Sequence, residues 1–138
     1  MKGLTIDMLS LNQSETFRKT ISESDVYLFA GITGDTNPAH IDEVYANSTR
    51  FGKRIAHGLL VSSFISTVLG TKLPGPGTIY ISQSLNFKAP VYIGDTIEAK
   101  VTVKEIIKEK NRVILLTEIY NQNQELVVTG EAMVLAPK

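Results

Sequence analysis

Between residues 56 and 73 the chain carries Leu59, Leu60, Val61, Phe64, Ile65, Val68, Leu69 and Leu73, which fall on more than one face of a helix. A helix that is apolar on several sides has to be covered on several sides. The remainder of the chain supplies the cover. Ile97, Ala99, Val101 and Val103 alternate with Glu98, Lys100, Thr102 and Lys104. Val113, Leu115, Thr117 and Ile119 alternate with Ile114, Leu116, Glu118 and Tyr120, a run covered on both faces. Ile79, Ile81, Leu85 and Phe87 form a similar face, interrupted by Gln83, and Leu126, Val128, Gly130, Ala132 and Val134 complete a fourth run. Period-two patterns with one apolar face predict antiparallel strands covered on one side. Gly94-Asp95, Lys110-Asn111 and residues 121–124 separate these runs with turn chemistry. One buried helix and a run of antiparallel strands make an α+β layout, with the sheet wrapped around the helix.

The same helix carries Ser62, Ser63, Ser66, Thr67 and Gly70, whose spacing makes one continuous stripe of small residues. Such a stripe lets a sheet, a partner helix or a ligand come close. Upstream, residues 15–21 read as a strand. Ser22, followed three positions later by Asp25, resembles a capping box ahead of a short helix with Val26, Phe29 and Ala30 on one stripe and Leu28 and Ile32 as a second apolar pair. Gly31 and Gly34 weaken its end. Residues 34–40 read as a loop, because Pro38 disfavours helical geometry at Asn37. Residues 42–46 form a further short helix with Asp42 near its cap.

The 138 residues suit one domain spanning 1–138. Fourteen Lys and Arg against fourteen Asp and Glu leave no net charge. A nucleic-acid partner is therefore not expected, and there is little long-range pull towards an anionic membrane. Zero net charge also favours self-association. No apolar run reaches the length of a membrane span, and the N-terminus lacks the apolar core of a signal peptide. The lack of cysteine excludes disulfides, thiolate metal sites and cysteine nucleophiles; it fits a reducing compartment, and a cytoplasmic location is expected. The two histidines, His40 and His57, lie far apart in sequence among scattered carboxylates, so no metal site is expected.

The densest polar cluster is Gly34-Asp35-Thr36-Asn37-Pro38-Ala39-His40, followed by Ala56-His57-Gly58 at the start of the apolar helix. An Asp and a His held together on a stiff loop can bind one water between them, the arrangement needed to add or remove water. Plainer readings stand beside this one. Asp35 also reads as a turn or cap residue, His40 as a hydrogen-bonded loop histidine, Asn37 as a brace of the loop and His57 as a helix cap. Gly58 allows close approach to its backbone, and the N–H groups of a helix's first turn point at anything negative.

Residues 29–42, Phe29-Ala30-Gly31-Ile32-Thr33-Gly34-Asp35-Thr36-Asn37-Pro38-Ala39-His40-Ile41-Asp42, resemble the hydratase 2 motif of the MaoC-like dehydratases. Arg54-Ile55-Ala56-His57-Gly58-Leu59-Leu60 resembles that family's second block, and residues 83–91 with Gly94-Asp95 resemble a third. The likeness is nearest to the short (R)-specific enoyl-CoA hydratases of polyhydroxyalkanoate synthesis. It implies a hot dog fold, an antiparallel β-sheet wrapped around a long central α-helix, and a homodimer or higher assembly of dimers. It implies Asp35 and His40 as the catalytic pair, the Gly58 N–H as the donor to the thioester oxygen, and Ser66 as a polar residue lining the site. Asn37 and His57, inside the matched motifs, join Ser66 as candidate substrate-binding residues. The implied reaction is reversible hydration of trans-2-enoyl-CoA to (R)-3-hydroxyacyl-CoA, with no cofactor, because the thioester itself activates the alkene. A hot dog acyl-CoA thioesterase and a non-catalytic acyl-CoA-binding subunit are the competing readings.

Overall fold

The structure, a computed structural model, describes residues 1–138. In chain order its elements are β1 (Ser14–Thr20), α1 (Glu23–Thr33), α2 (Pro38–Ile41), α3 (Glu43–Asn47), α4 (Gly58–Thr71), β2 (Ile79–Gln83), β3 (Asn86–Phe87), β4 (Thr96–Ile107), β5 (Arg112–Tyr120) and β6 (Leu126–Leu135). The strands form one antiparallel six-stranded sheet in the order β1-β4-β5-β6-β2, with β3 also pairing with β6. No helix is long and apolar enough to cross a membrane.

The alternation in β4 and β5 sets which face meets the helix. Ile97, Ala99, Val101, Val103, Val113, Leu115 and Ile119 are all buried, and α4 lays Val61, Ile65, Val68 and Leu69 against them in one core. Each such Val, Leu or Ile side chain taken out of water contributes about 1.5–3 kcal/mol. This is the hot dog architecture, with the sheet curled over one long helix.

Two expectations about burial are corrected. The apolar helix is not covered all round: Leu59, Ser63, Ser66 and Gly70 are exposed. They lie one or two turns apart along one face, and the sheet covers the opposite face. Ile79, Ile81 and Phe87 were expected to turn inward, but they are 59%, 42% and 54% exposed. For Ile79 and Ile81 the reason is topological: β2 is the edge of the sheet and has no neighbour beyond it, whereas Phe87, on β3, lies against Gly58 at the start of α4.

The strand β6 serves both β2 and β3 because the chain between them crosses it at Gly130. Ser84 donates its N–H to the Glu131 carbonyl and accepts the Glu131 N–H on its hydroxyl. A Cβ on Gly130 would lie 1.8 Å from the Ser84 carbonyl oxygen, so backbone would have to move. Gly130→Ala should therefore cost about 3 kcal/mol, the upper end of ordinary overpacking. Denaturant unfolding measures this, and an unchanged midpoint would mean that the crossing does not rest on β6 here.

Candidate active site

The candidate residues are held by a chain of local caps. Ser22 and Asp25 form a capping box at the start of α1, and Gly34, in the left-handed region at φ 78°, ends it. The Thr33 hydroxyl donates to the Phe29 carbonyl at 2.8 Å and accepts the Asp35 N–H at 3.1 Å. Asp35 Oδ1 accepts the Asn37 N–H at 3.2 Å, and Asn37 Oδ1 accepts the Ala39 N–H at 3.1 Å. These side-chain-to-backbone bonds replace the turn hydrogen bonds a bare loop would lack.

The loop expected over residues 34–40 ends sooner. Asn37 is the N-cap of α2, Pro38 occupies its first turn, and His40 sits on this helix. Proline disfavours helical geometry at the residue before it but is suited to a first helical position.

His40 points back into the protein and is 8% exposed. Its Nδ1 lies 2.7 Å from the Ile55 carbonyl oxygen. A carbonyl only accepts, so Nδ1 carries the proton and Nε2 is left as an acceptor. Burial pushes the His40 imidazolium below its ordinary range, and the nearby His57 adds to this; the Ile55 carbonyl and the Asp35 carboxylate oppose it. His57, 2% exposed, donates Nε2–H to the Asp35 backbone carbonyl at 3.0 Å. Its ring stacks on His40 with centroids 3.8 Å apart and meets Phe29 at 4.8 Å on a tilt.

Asp35, His40 and His57 thus offer ligand-type atoms within 4.8 Å of one another. The two histidines, seventeen positions apart in sequence, share one site. His40 Nδ1 is committed to the Ile55 carbonyl and His57 Nε2 to the Asp35 carbonyl, so each ring has one nitrogen left, and that of His57 is buried. The arrangement suits proton handling better than metal ligation.

The helix α4 begins at Gly58 beside this cluster. His57, at its N-cap, makes no side-chain capping bond, and no carbonyl or side chain accepts the Gly58 N–H. A first-turn N–H left free at a helix N-terminus is a ready donor to developing negative charge. A cavity of about 580 Å³ opens here; Asp35, His40 and Gly58 line it together with apolar Phe29, Phe51 and Val91. Phe87 packs against Gly58 so closely that a Cβ there would lie 2.7 Å from its ring.

Three further candidates are placed differently. Asn37 is exposed and uses its carbonyl oxygen as a cap, so it braces the loop and does not line the cavity. His57 borders the cavity, but its ring is buried behind His40. Ser66 lines a separate groove of about 360 Å³ between α4 and β2, which shares only Leu59 with the first cavity.

Sequence reasoning passed over Arg54. Its side chain, 13% exposed, pairs with Glu23 at 2.5 Å and Glu43 at 2.7 Å and donates to the Tyr27 hydroxyl at 2.9 Å. These charge-assisted bonds raise the Arg54 pKa, Glu23 foremost. They join α1 and α3 to the segment leading into α4. The only available signal was the place of Arg54 three residues before His57.

A family model described as MaoC like domain matches residues 11–124. The (R)-specific enoyl-CoA hydratase of Rhodospirillum rubrum is 57% identical over 91% of this chain and 86% of its own length. The 3-hydroxybutyryl-CoA dehydratase of Methylorubrum extorquens is 51% identical over 100% of this chain and 87% of its own length. The unliganded structure of R-hydratase PhaJ1 from Pseudomonas aeruginosa superposes with a TM-score of 0.95 at 42% identity, over 99% of this chain and 88% of that one. Alike in sequence along most of its length and in the path of its backbone, the chain belongs to the MaoC-like domain family.

Proposed function

We propose that this protein catalyses the reversible hydration of trans-2-enoyl-CoA to (R)-3-hydroxyacyl-CoA, with residues 1–138 acting as one domain. The observation that carries this reading is the convergence of Asp35, His40 and the free Gly58 N–H on one cavity with apolar walls. The hydratases and dehydratases at 51–57% identity support the same chemistry.

The roles follow from the hydrogen bonds. Asp35 and His40 Nε2 both face the cavity as acceptors, so a water between them gives one hydrogen to each and turns its lone pairs outward. Asp35 takes the proton as the water oxygen bonds to C3. The alkene electrons move through C2 onto the thioester oxygen, where the Gly58 N–H and the helix dipole meet the charge. When the enolate collapses, C2 takes a proton. His40 begins with its own proton turned to Ile55, so the proton delivered to C2 is the one that Asp35 removed from water. One proton leaves water and one reaches C2, and the atoms balance without a cofactor.

A neutral His40 is needed for this arrangement. Its pKa lies below the ordinary 6.5, chiefly through burial. The acid limb of kcat/KM attributable to His40 should therefore fall below pH 6.5, with activity lost as pH drops through it. His40→Asn, which keeps a donor for Ile55, should abolish that limb; a limb above the ordinary histidine value would contradict the assignment.

The edge strand β2, with Ile79, Tyr80 and Ile81 exposed beside the open face of α4, fits a second copy of the chain. An unpaired edge is a liability, and an antiparallel partner edge satisfies it. Sedimentation should give a dimer or an assembly of dimers; a 15.1 kDa species alone at micromolar concentration would rule this out.

The activity itself is tested with crotonyl-CoA. A hydratase removes the absorbance of the conjugated thioester and releases no thiol. Thiol release would favour the thioesterase reading, and neither change would leave a binding subunit.

A further inference from the structure

The mechanism leaves His57 unused, although it is among the most enclosed polar side chains of the protein. We propose that His57 is a positioning residue that holds Asp35 and His40 in register. It touches both, by different means. Its Nε2–H fixes the peptide carbonyl of Asp35 at 3.0 Å, and its ring face sets the plane of His40 at 3.8 Å. Phe29 backs the ring at 4.8 Å, on a tilt. Its Nδ1 is buried with no partner. That unmet polar atom is a cost a plain core residue would avoid. The bond to Asp35 is thus the ring's single polar hold, and the stack the ring's link to His40.

His57 also stands immediately before Gly58, so one residue links the base, its neighbour and the free N–H of α4. The inference rests on the roles given above to Asp35 and His40. Group placement matters at this scale, since a shift of about 1 Å can cost on the order of 10²-fold in rate.

The chain has only two histidines, so both rings are readily assigned by ¹⁵N nuclear magnetic resonance. In the substrate-free wild-type protein, His57 should be in the Nε2–H form and His40 in the Nδ1–H form. The opposite tautomer for His57, or averaging between its two forms, would overturn the proposal.

Two variants separate its two contacts. His57→Phe keeps a ring against His40 and deletes the donor; His57→Gln keeps a donor at similar reach and loses the ring. His57→Phe should lower kcat for crotonyl-CoA by about 10²-fold with KM within about twofold, and His57→Gln should recover about tenfold of that loss. Wild-type kcat in His57→Phe, or kcat falling in both variants only in step with melting temperature, would leave His57 a core residue and sink the idea. Lack of turnover by the wild type would count against the hydratase reading alone, because the tautomers are read without substrate.

Discussion

Asp35→Asn should lower kcat for enoyl-CoA hydration by about 10²–10⁴, the range for loss of an acid/base group. The fold has little reason to change. Asn retains an oxygen to accept the Asn37 N–H, and Asp35 is exposed at the cavity edge, where it packs no core. What disappears is the group that takes the water's proton. The measurement is turnover of crotonyl-CoA beside circular dichroism and melting temperature. Near-normal turnover with normal spectra would remove Asp35 from the mechanism. His40→Asn should show a loss of the same order, because it keeps a donor towards Ile55 and deletes the Nε2 acceptor facing the cavity.

The second large effect concerns one backbone N–H. Gly58 is the first residue of α4, a position at which proline keeps a helix intact. His57 before it has φ −59° and ψ 135°, extended geometry that a following proline accepts. Proline therefore removes the proposed thioester donor without breaking the helix. The obstacle is Phe87, whose ring would meet any Cβ at 2.7 Å. The informative comparison is Gly58→Pro with Phe87→Ala against Gly58→Ala with Phe87→Ala. Both carry the same relief mutation and a Cβ, and only the first lacks the N–H. Its kcat should be lower by about 10²–10³, as for loss of one oxyanion donor. Equal kcat in the two would mean that another group meets the developing charge.

Much of this was legible in the chain before any coordinates. The capping box at Ser22 and Asp25, the period-two faces of β4 and β5 and the apolar helix are local patterns, and each forms where the pattern lies. Asp35 and His40 also fall close together, because His40 follows Asp35 by only five positions. The rest depends on long-range packing. Nothing in the spacing of His40 and His57 announces a ring stack, which exists because Ile55 is pinned to Ala39 and paired with Tyr92, bringing the start of α4 up to α2. Apolar residues in β2 look inward-facing by alternation, yet whether a strand is central or at the edge is a property of the sheet. Ser66 shares the helix of Gly58, but it faces the groove beside β2, since a helix turns its residues to different sides.

The most direct test of the account is the handedness of the product that the wild-type protein makes from crotonyl-CoA. One water held on one side of the alkene by Asp35 and His40, with the thioester oxygen fixed at Gly58, presents a single face of C3. Chiral analysis should find (R)-3-hydroxybutyryl-CoA alone, and the same enzyme should dehydrate that compound and leave its (S) counterpart untouched. A racemic or (S) product would contradict the account.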